Sequence, residues 1–135
     1  MTRRAVLDSN VIVSGLGWSG APARIVEAVL AGELVLVMSA PLLAELRRVL
    51  AYPKLAKAIP DGSGLADLVE MSSVVVEPRS VFDVVEDESD NRVLEAAVDA
   101  GVDHIVSGDG HLLGLGVSQG IPILTPAEFV RSALS

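Results

Sequence analysis

Four acidic residues of this chain, Asp8, Glu45, Asp90 and Asp109, have the type and placement to do chemistry together. Asp8 and Asp109 each follow a short continuous apolar run, the pattern of a strand buried in a parallel sheet, and ligands of such sheets collect beyond the strands' carboxyl ends. If all four carboxylates met there they would repel. At about 4 Å and an effective dielectric near 20, each like-charged pair costs roughly 4 kcal/mol. No lysine follows Lys57, so the expected compensating charge is a divalent cation, and an all-oxygen ligand set favours Mg²⁺ or Mn²⁺. Such a site suits hydrolysis of a phosphodiester.

Three of these acids also have an ordinary explanation. Glu45 fits a solvated helix face, Asp90 fits a cap, and Asp109 sits in Ser107-Gly108-Asp109-Gly110, a natural turn. Periodicity weighs against solvation for two of them. Leu42, Leu43, Leu46, Val49 and Leu50 fill one arc of a helix, and Glu45 lies roughly 40° beyond its edge at Val49. Asp90 shares a face with Val93, Leu94 and Ala97, whereas Arg92, Glu95 and Asp99 are expected on the wet side.

The elements that must position these acids follow from the same patterns. A first strand ends at Asp8-Ser9-Asn10, and Gly15 to Pro22 reads as a turn-rich loop around Trp18. A helix over 23–30, a strand over 34–38 and a helix opened by Ser39-Ala40-Pro41 come next. Residues 52–68 read as two short helices broken by Pro53 and by Pro60 to Gly64. A β-branched strand over 73–77 leads through an acidic loop to a helix from about Asp90 to Ala100. A strand over 104–107, a fifth strand over 120–124 placed at an edge by Pro122, and a helix over 126–134 complete the order. Alternation of this kind predicts an α/β/α sandwich around a parallel sheet of about five strands.

Composition limits the alternatives. At 135 residues and 50% hydrophobic, the chain makes one aliphatic domain spanning 1–135. It contains no cysteine, which excludes thiolate metal sites and disulfides. The apolar stretch behind Arg3 and Arg4 reaches Asp8 too soon for a signal core or a membrane span, so a cytoplasmic protein with no membrane association is expected. No Gly-x-Gly completes a dinucleotide or P-loop fingerprint. Net charge is −8, but residues 1–57 carry seven basic groups against four acids while the remainder carries three against fourteen. That asymmetry is a hint of nucleic-acid contact, though solvated helix faces would give it too.

Leu7-Asp8-Ser9-Asn10, Glu45, Asp90-Asn91-Arg92-Val93-Leu94-Glu95-Ala96-Ala97 and Ser107-Gly108-Asp109 together resemble the PIN-domain nucleases, above all the toxin branch of toxin–antitoxin systems. The resemblance covers nearly the whole chain, including His104 to Leu113 and Ile123 to Phe129. It implies that Asp8, Glu45, Asp90 and Asp109 form a catalytic Mg²⁺ or Mn²⁺ site, with Asn10 and Ser107 positioning substrate or water. Ser107 stands where many members carry threonine, a change that keeps the hydroxyl. Asp87 and Glu88 are neighbouring alternatives for the third acid, and the spacing to Ala97 favours Asp90.

The implied activity is a metal-dependent endoribonuclease, dimeric and paired with a small antitoxin protein. RNA contacts would come from Arg47, Arg48 and Trp18, although Trp18 could equally pack against a neighbouring subunit. His104 and His111 read as structural. An RNA-processing nuclease without an antitoxin, or a non-enzymatic scaffold of the same fold, are the competing readings. Receiver and haloacid-dehalogenase-type phosphatases also place an acid after the first strand, but they need a late lysine that is missing here.

Overall fold

Three apolar segments build the centre of the molecule: β1 (Arg3–Leu7), β2 (Leu34–Ser39) and β4 (His104–Val106). The computed structural model describes residues 2–134. Ala5, Val6, Leu7, Leu36, Val37, Ile105 and Val106 are all essentially inaccessible to solvent, as strands covered on both faces must be. β3 (Ser73–Val76), β5 (Val117–Ser118) and β6 (Ile121–Leu124) complete a sheet of six strands among the described residues, in the order β3-β2-β1-β4-β6-β5. All pairings are parallel except β5 with β6.

Helices flank this sheet, and their positions follow from their apolar stripes. They are α1 (Ser9–Gly17), α2 (Ala21–Leu30), α3 (Ala40–Leu50), α4 (Gly62–Met71), α5 (Glu88–Ala100), α6 (Gly110–Leu113) and α7 (Pro126–Phe129). A 3₁₀ turn, Pro53–Leu55, links α3 to α4, and a single wide turn, Val130–Leu134, follows α7. The α/β class and the parallel centre agree with the sequence expectation.

The strand order makes the functional end of the sheet identifiable. The chain leaves β1 toward β2 and β3 on one side, then returns to lay β4 on the other side of β1. That reversal is the topological switch point, where a crevice opens beyond the strand ends. Val6 pairs with Ile105 and Leu7 with Val106, so the residues that follow, Asp8 and Ser107, emerge side by side.

Four expectations need correction. The sheet has a sixth strand: two residues of β5 fold antiparallel onto β6, so β6 is not an edge. The stretch before Trp18 is helical to Gly17. Gly15 is there because α1 and α2 approach closely, and a Cβ at that position would sit 2.5 Å from Val26 Cγ2 and 2.6 Å from the Pro22 carbonyl oxygen. Helix α5 starts earlier than Asp90, at Glu88, with the Asp87 carboxylate accepting from Ser89 N at 2.8 Å. Finally, Glu95 is 7% exposed and not on a wet face, because residues 79–85 cover that side of α5.

The covering segment has no regular partner strand, so helix side chains take up its backbone groups. Asp99 accepts from Arg79 N and Ser80 N, Glu95 from Phe82 N at 2.8 Å, and Asn91 from Val84 N at 2.9 Å and Val85 N at 3.1 Å. The Asn91 amide also donates to Val85 O at 2.8 Å. Positions 91, 95 and 99 are one turn apart, so a single stripe of α5 holds the strap.

Candidate active site

Asp8 and Asp109 are held by the same hydroxyl. Ser107, fully buried, donates from Oγ to Asp8 Oδ2 at 3.0 Å and accepts from Asp109 N at 2.9 Å. Asp8 also caps α1, its Oδ1 accepting from Asn10 N at 3.4 Å. Asp109 caps the short α6 through His111 N at 2.7 Å. Burial pushes the Asp8 carboxyl above its ordinary range, and the nearby Asp109 charge adds to this against the pull of the Ser107 and Asn10 hydrogen bonds.

Asp90 enters from the first turn of α5 and is 4% exposed. Its Oδ2 has no hydrogen-bond partner among the described residues. Burial raises its pKa to about 7, with the charges of Asp109, Asp87 and Asp8 contributing in that order. Ligand atoms of Asp90, Asp109 and His111 lie within 4.8 Å of one another, and the His111 Nδ1 is 3.5 Å from Asp109 Oδ1. His111, structural by its sequence pattern, stands beside the acidic centre. His104 is half-buried and edge-on to Phe129 at 5.3 Å, a packing role.

Glu45 faces the same region from α3, sharing a cleft with Asp8, Ser9, Pro41, Glu88 and Arg92. It is not within ligand distance of the Asp90–Asp109–His111 group and is instead paired with Arg48 at 2.5 Å. Arg92 is a residue that sequence reasoning missed. Its guanidinium reaches Glu88 at 3.1 Å, Glu95 at 2.8 Å and Phe82 O at 3.2 Å, which puts one fixed positive charge on the cleft wall. Of the two alternatives for the third acid, Asp87 is occupied as a cap while Glu88 lines the cleft.

The other expected residues are more dispersed. Asn10 is exposed in the first turn of α1. Arg47 lies on the far side of α3, bound to Asp67 and Glu70 of α4 at 2.8 Å each. Trp18 is 54% exposed at the opposite end of α1 from Asp8, roughly 15 Å away at 1.5 Å per residue.

These acids fit a hard divalent cation. A fully buried carboxylate oxygen without a donor, beside two further carboxylates, is stable only if protonated or if a cation supplies the missing charge. Three of the four acids gather at the switch point of a parallel sheet, with Glu45 across the cleft.

Comparison with known proteins gives this arrangement a family. A family profile described as "PIN domain" matches residues 4–111, most of the chain. The chain belongs to the PIN-domain family. PIN domains are nuclease domains, and the acidic centre built by this one suits that general activity.

One relative of this PIN domain is the uncharacterized protein MJ1680 of Methanocaldococcus jannaschii, 28% identical over 140 residues, covering 95% of this chain and 90% of that protein. Solved structures with a similar fold include VapBC2 from Rickettsia felis bound to a DNA fragment from their promoter, with TM-score 0.61 and 11% identity over 90% of this chain and 98% of that one. PAE2754 from Pyrobaculum aerophilum has TM-score 0.60 and 17% identity over 99% and 91% of the two chains. FitAcB from Neisseria gonorrhoeae has TM-score 0.58 and 16% identity over 91% and 98%. No helix among the described residues is long and apolar enough to cross a membrane.

Proposed function

We propose that this PIN domain is a Mg²⁺- or Mn²⁺-dependent endoribonuclease and the toxin of a toxin–antitoxin pair. The observation that carries the metal-dependent reading is Asp90 Oδ2, buried and without a donor next to Asp109. Asp8, Asp90 and Asp109, completed by Glu45 from α3, are the residues that would hold the cation. When bound, it supplies Lewis acidity to hydrolysis of the phosphodiester, which ends in a 3′-hydroxyl and a 5′-phosphate.

The chain's own residues do the rest. Ser107 and the Asn10 amide fix both oxygens of Asp8, so this carboxylate cannot rotate away from the crevice. The Asp90 carboxyl, raised to about 7 by burial among like charges, is the group whose proton a bound cation would displace. The short α6 carries His111 beside Asp109. Arg48, which adjoins the acids through Glu45, is the proposed RNA contact nearest the crevice, with Arg47 and Trp18 as more distant ones.

The toxin reading rests on the sequence resemblance to that branch, supported by fold likeness to chains in the VapBC2 and FitAcB structures. It brings a small antitoxin partner, a homodimer and a cytoplasmic location. The test is cleavage of a labelled RNA with Mn²⁺, with EDTA and with Asp8→Asn. Metal-dependent cleavage that the variant loses is the expected result, and cleavage that survives EDTA or the substitution would refute the site.

A further inference from the structure

From Glu45 at the acidic crevice a surface runs outward that the hydrolytic chemistry does not otherwise use. Glu45, Arg48 and Tyr52 fall three and four residues apart, a single stripe running down α3 into the 3₁₀ turn. Arg48 ties the stripe together, donating from NH2 to Glu45 Oε2 at 2.5 Å and from NH1 to the Tyr52 hydroxyl at 2.7 Å. Its guanidinium carbon stands 6.0 Å from the Tyr52 ring centre. A cation bonded to the hydroxyl at that distance sits off the ring's edge and not on its face. The Lys54 ammonium lies 5.9 Å from the same ring.

Tyr52 is the chain's single tyrosine, in a sequence with only four aromatic residues besides histidine, and it is exposed. An amphipathic ring is thus set outward beside two cations in a protein with a net charge of −8. Of the two cations beside it, Arg48 is paired with Glu45, while Lys54 is uncompensated. Lys54 and Lys57 have no carboxylate partner among the described residues, whereas Arg47, one position along α3, is neutralised by Asp67 and Glu70. Aromatic faces flanked by cations are how proteins hold single-stranded nucleic acid, with a base on the ring and phosphates on the charges.

We propose that Tyr52 is a stacking platform for one base of a single-stranded RNA substrate, with Arg48 and Lys54 holding the phosphates on either side of that nucleotide. The proposal deepens the nuclease reading and rests on it. Seven residues of helical rise separate Glu45 from Tyr52, about 10 Å, so the stacked base lies a few nucleotides from the scissile bond. Tyr52 is thus a positioning residue that selects which phosphodiester reaches the acids.

The test compares wild type, Tyr52→Ala and Tyr52→Phe on a labelled single-stranded oligoribonucleotide with Mn²⁺, and on versions carrying one abasic position stepped along the strand. Stacking predicts that Tyr52→Ala raises KM by about tenfold or more with kcat unchanged, while Tyr52→Phe stays near wild type. One abasic position should reproduce the loss in wild type and add nothing in Tyr52→Ala. Wild-type KM in Tyr52→Ala, a Phe variant as weak as the Ala variant, or an abasic penalty that remains in full would overturn the platform alone. Failure of the wild type to cleave or bind the RNA at all would overturn the nuclease reading and this one with it.

Discussion

Helix α5 carries two sets of polar side chains that differ in one respect, the supply of donors. Asn91, Glu95 and Asp99 on one stripe meet the backbone N–H groups of residues 79–85. Asp90, one residue from Asn91 and just as buried, keeps an oxygen with no donor. The hydrogen bonds from Ser80 and Arg79 hold the Asp99 carboxyl below the ordinary range, whereas burial among like charges lifts Asp90 to about 7. Glu95 is nearly as buried as Asp90 yet bonded to Phe82 N and Arg92, so burial alone does not distinguish a structural acid from a functional one. A carboxylate that the fold satisfies is part of the fold, and one that it leaves unsatisfied is waiting for a ligand.

That contrast can be broken by substitutions on either side of it. The largest effect is expected from Asp8→Asn, which removes one carboxylate of the unsatisfied group. It should abolish metal-dependent RNA cleavage while circular dichroism and thermal unfolding stay native-like.

Asp90→Asn should come next, and with an unusual sign. A carboxyl whose folded pKa exceeds its unfolded value disfavours folding once ionised. The penalty is complete above about pH 7 and disappears as pH falls through 7 toward 3.8. In EDTA at pH 8 the variant should be more stable than wild type by about 2 to 4 kcal/mol, and the difference should vanish near pH 4. Thermal denaturation across that range checks both statements. A wild type that loses stability on acidification from pH 8 to 6 in EDTA, without a matching loss in Asp90→Asn, would contradict them.

Asn91→Ala tests the satisfied side. It removes the partners of two N–H groups and one carbonyl from a side chain with no solvent exposure, at an expected cost of about 2 to 4 kcal/mol by denaturant unfolding. Cleavage per folded molecule should fall far less than in Asp8→Asn. The smallest effect is predicted for the exposed Asp99→Asn. Faster amide hydrogen exchange at Arg79 and Ser80 should be its main signature, with little change in global stability.

Much of this contrast was legible in the sequence. Asp8 and Asp109 could be placed because continuous apolar runs announce buried strands and the acids follow within three residues of them. Asp90 could be aimed at the sheet because Val93, Leu94 and Ala97 define its face. What was not legible depends on tertiary partners. Glu95 looks solvated by periodicity, since nothing in the pattern says that an irregular segment will cover it.

Other misses have the same origin. Two glycines hid α1, because their low helix propensity resembles a loop until the close approach to Pro22 and Val26 is known. Two residues are too few for β5 to show as a strand. Nothing in the pattern around His111 marks it as more than structural, and only the turn of α6 brings it to Asp109.

The most direct test of the central claim is Mn²⁺ titration by calorimetry at pH 6 and pH 8 on wild type, Asp90→Asn and Asn91→Ala. The account predicts that wild type binds Mn²⁺ with release of protons, more tightly at pH 8 than at pH 6, as cation and proton compete for Asp90. Asp90→Asn should lose most of that affinity, and folded Asn91→Ala should keep it. No Mn²⁺ binding by wild type, or equal affinity in wild type and Asp90→Asn, would contradict the account.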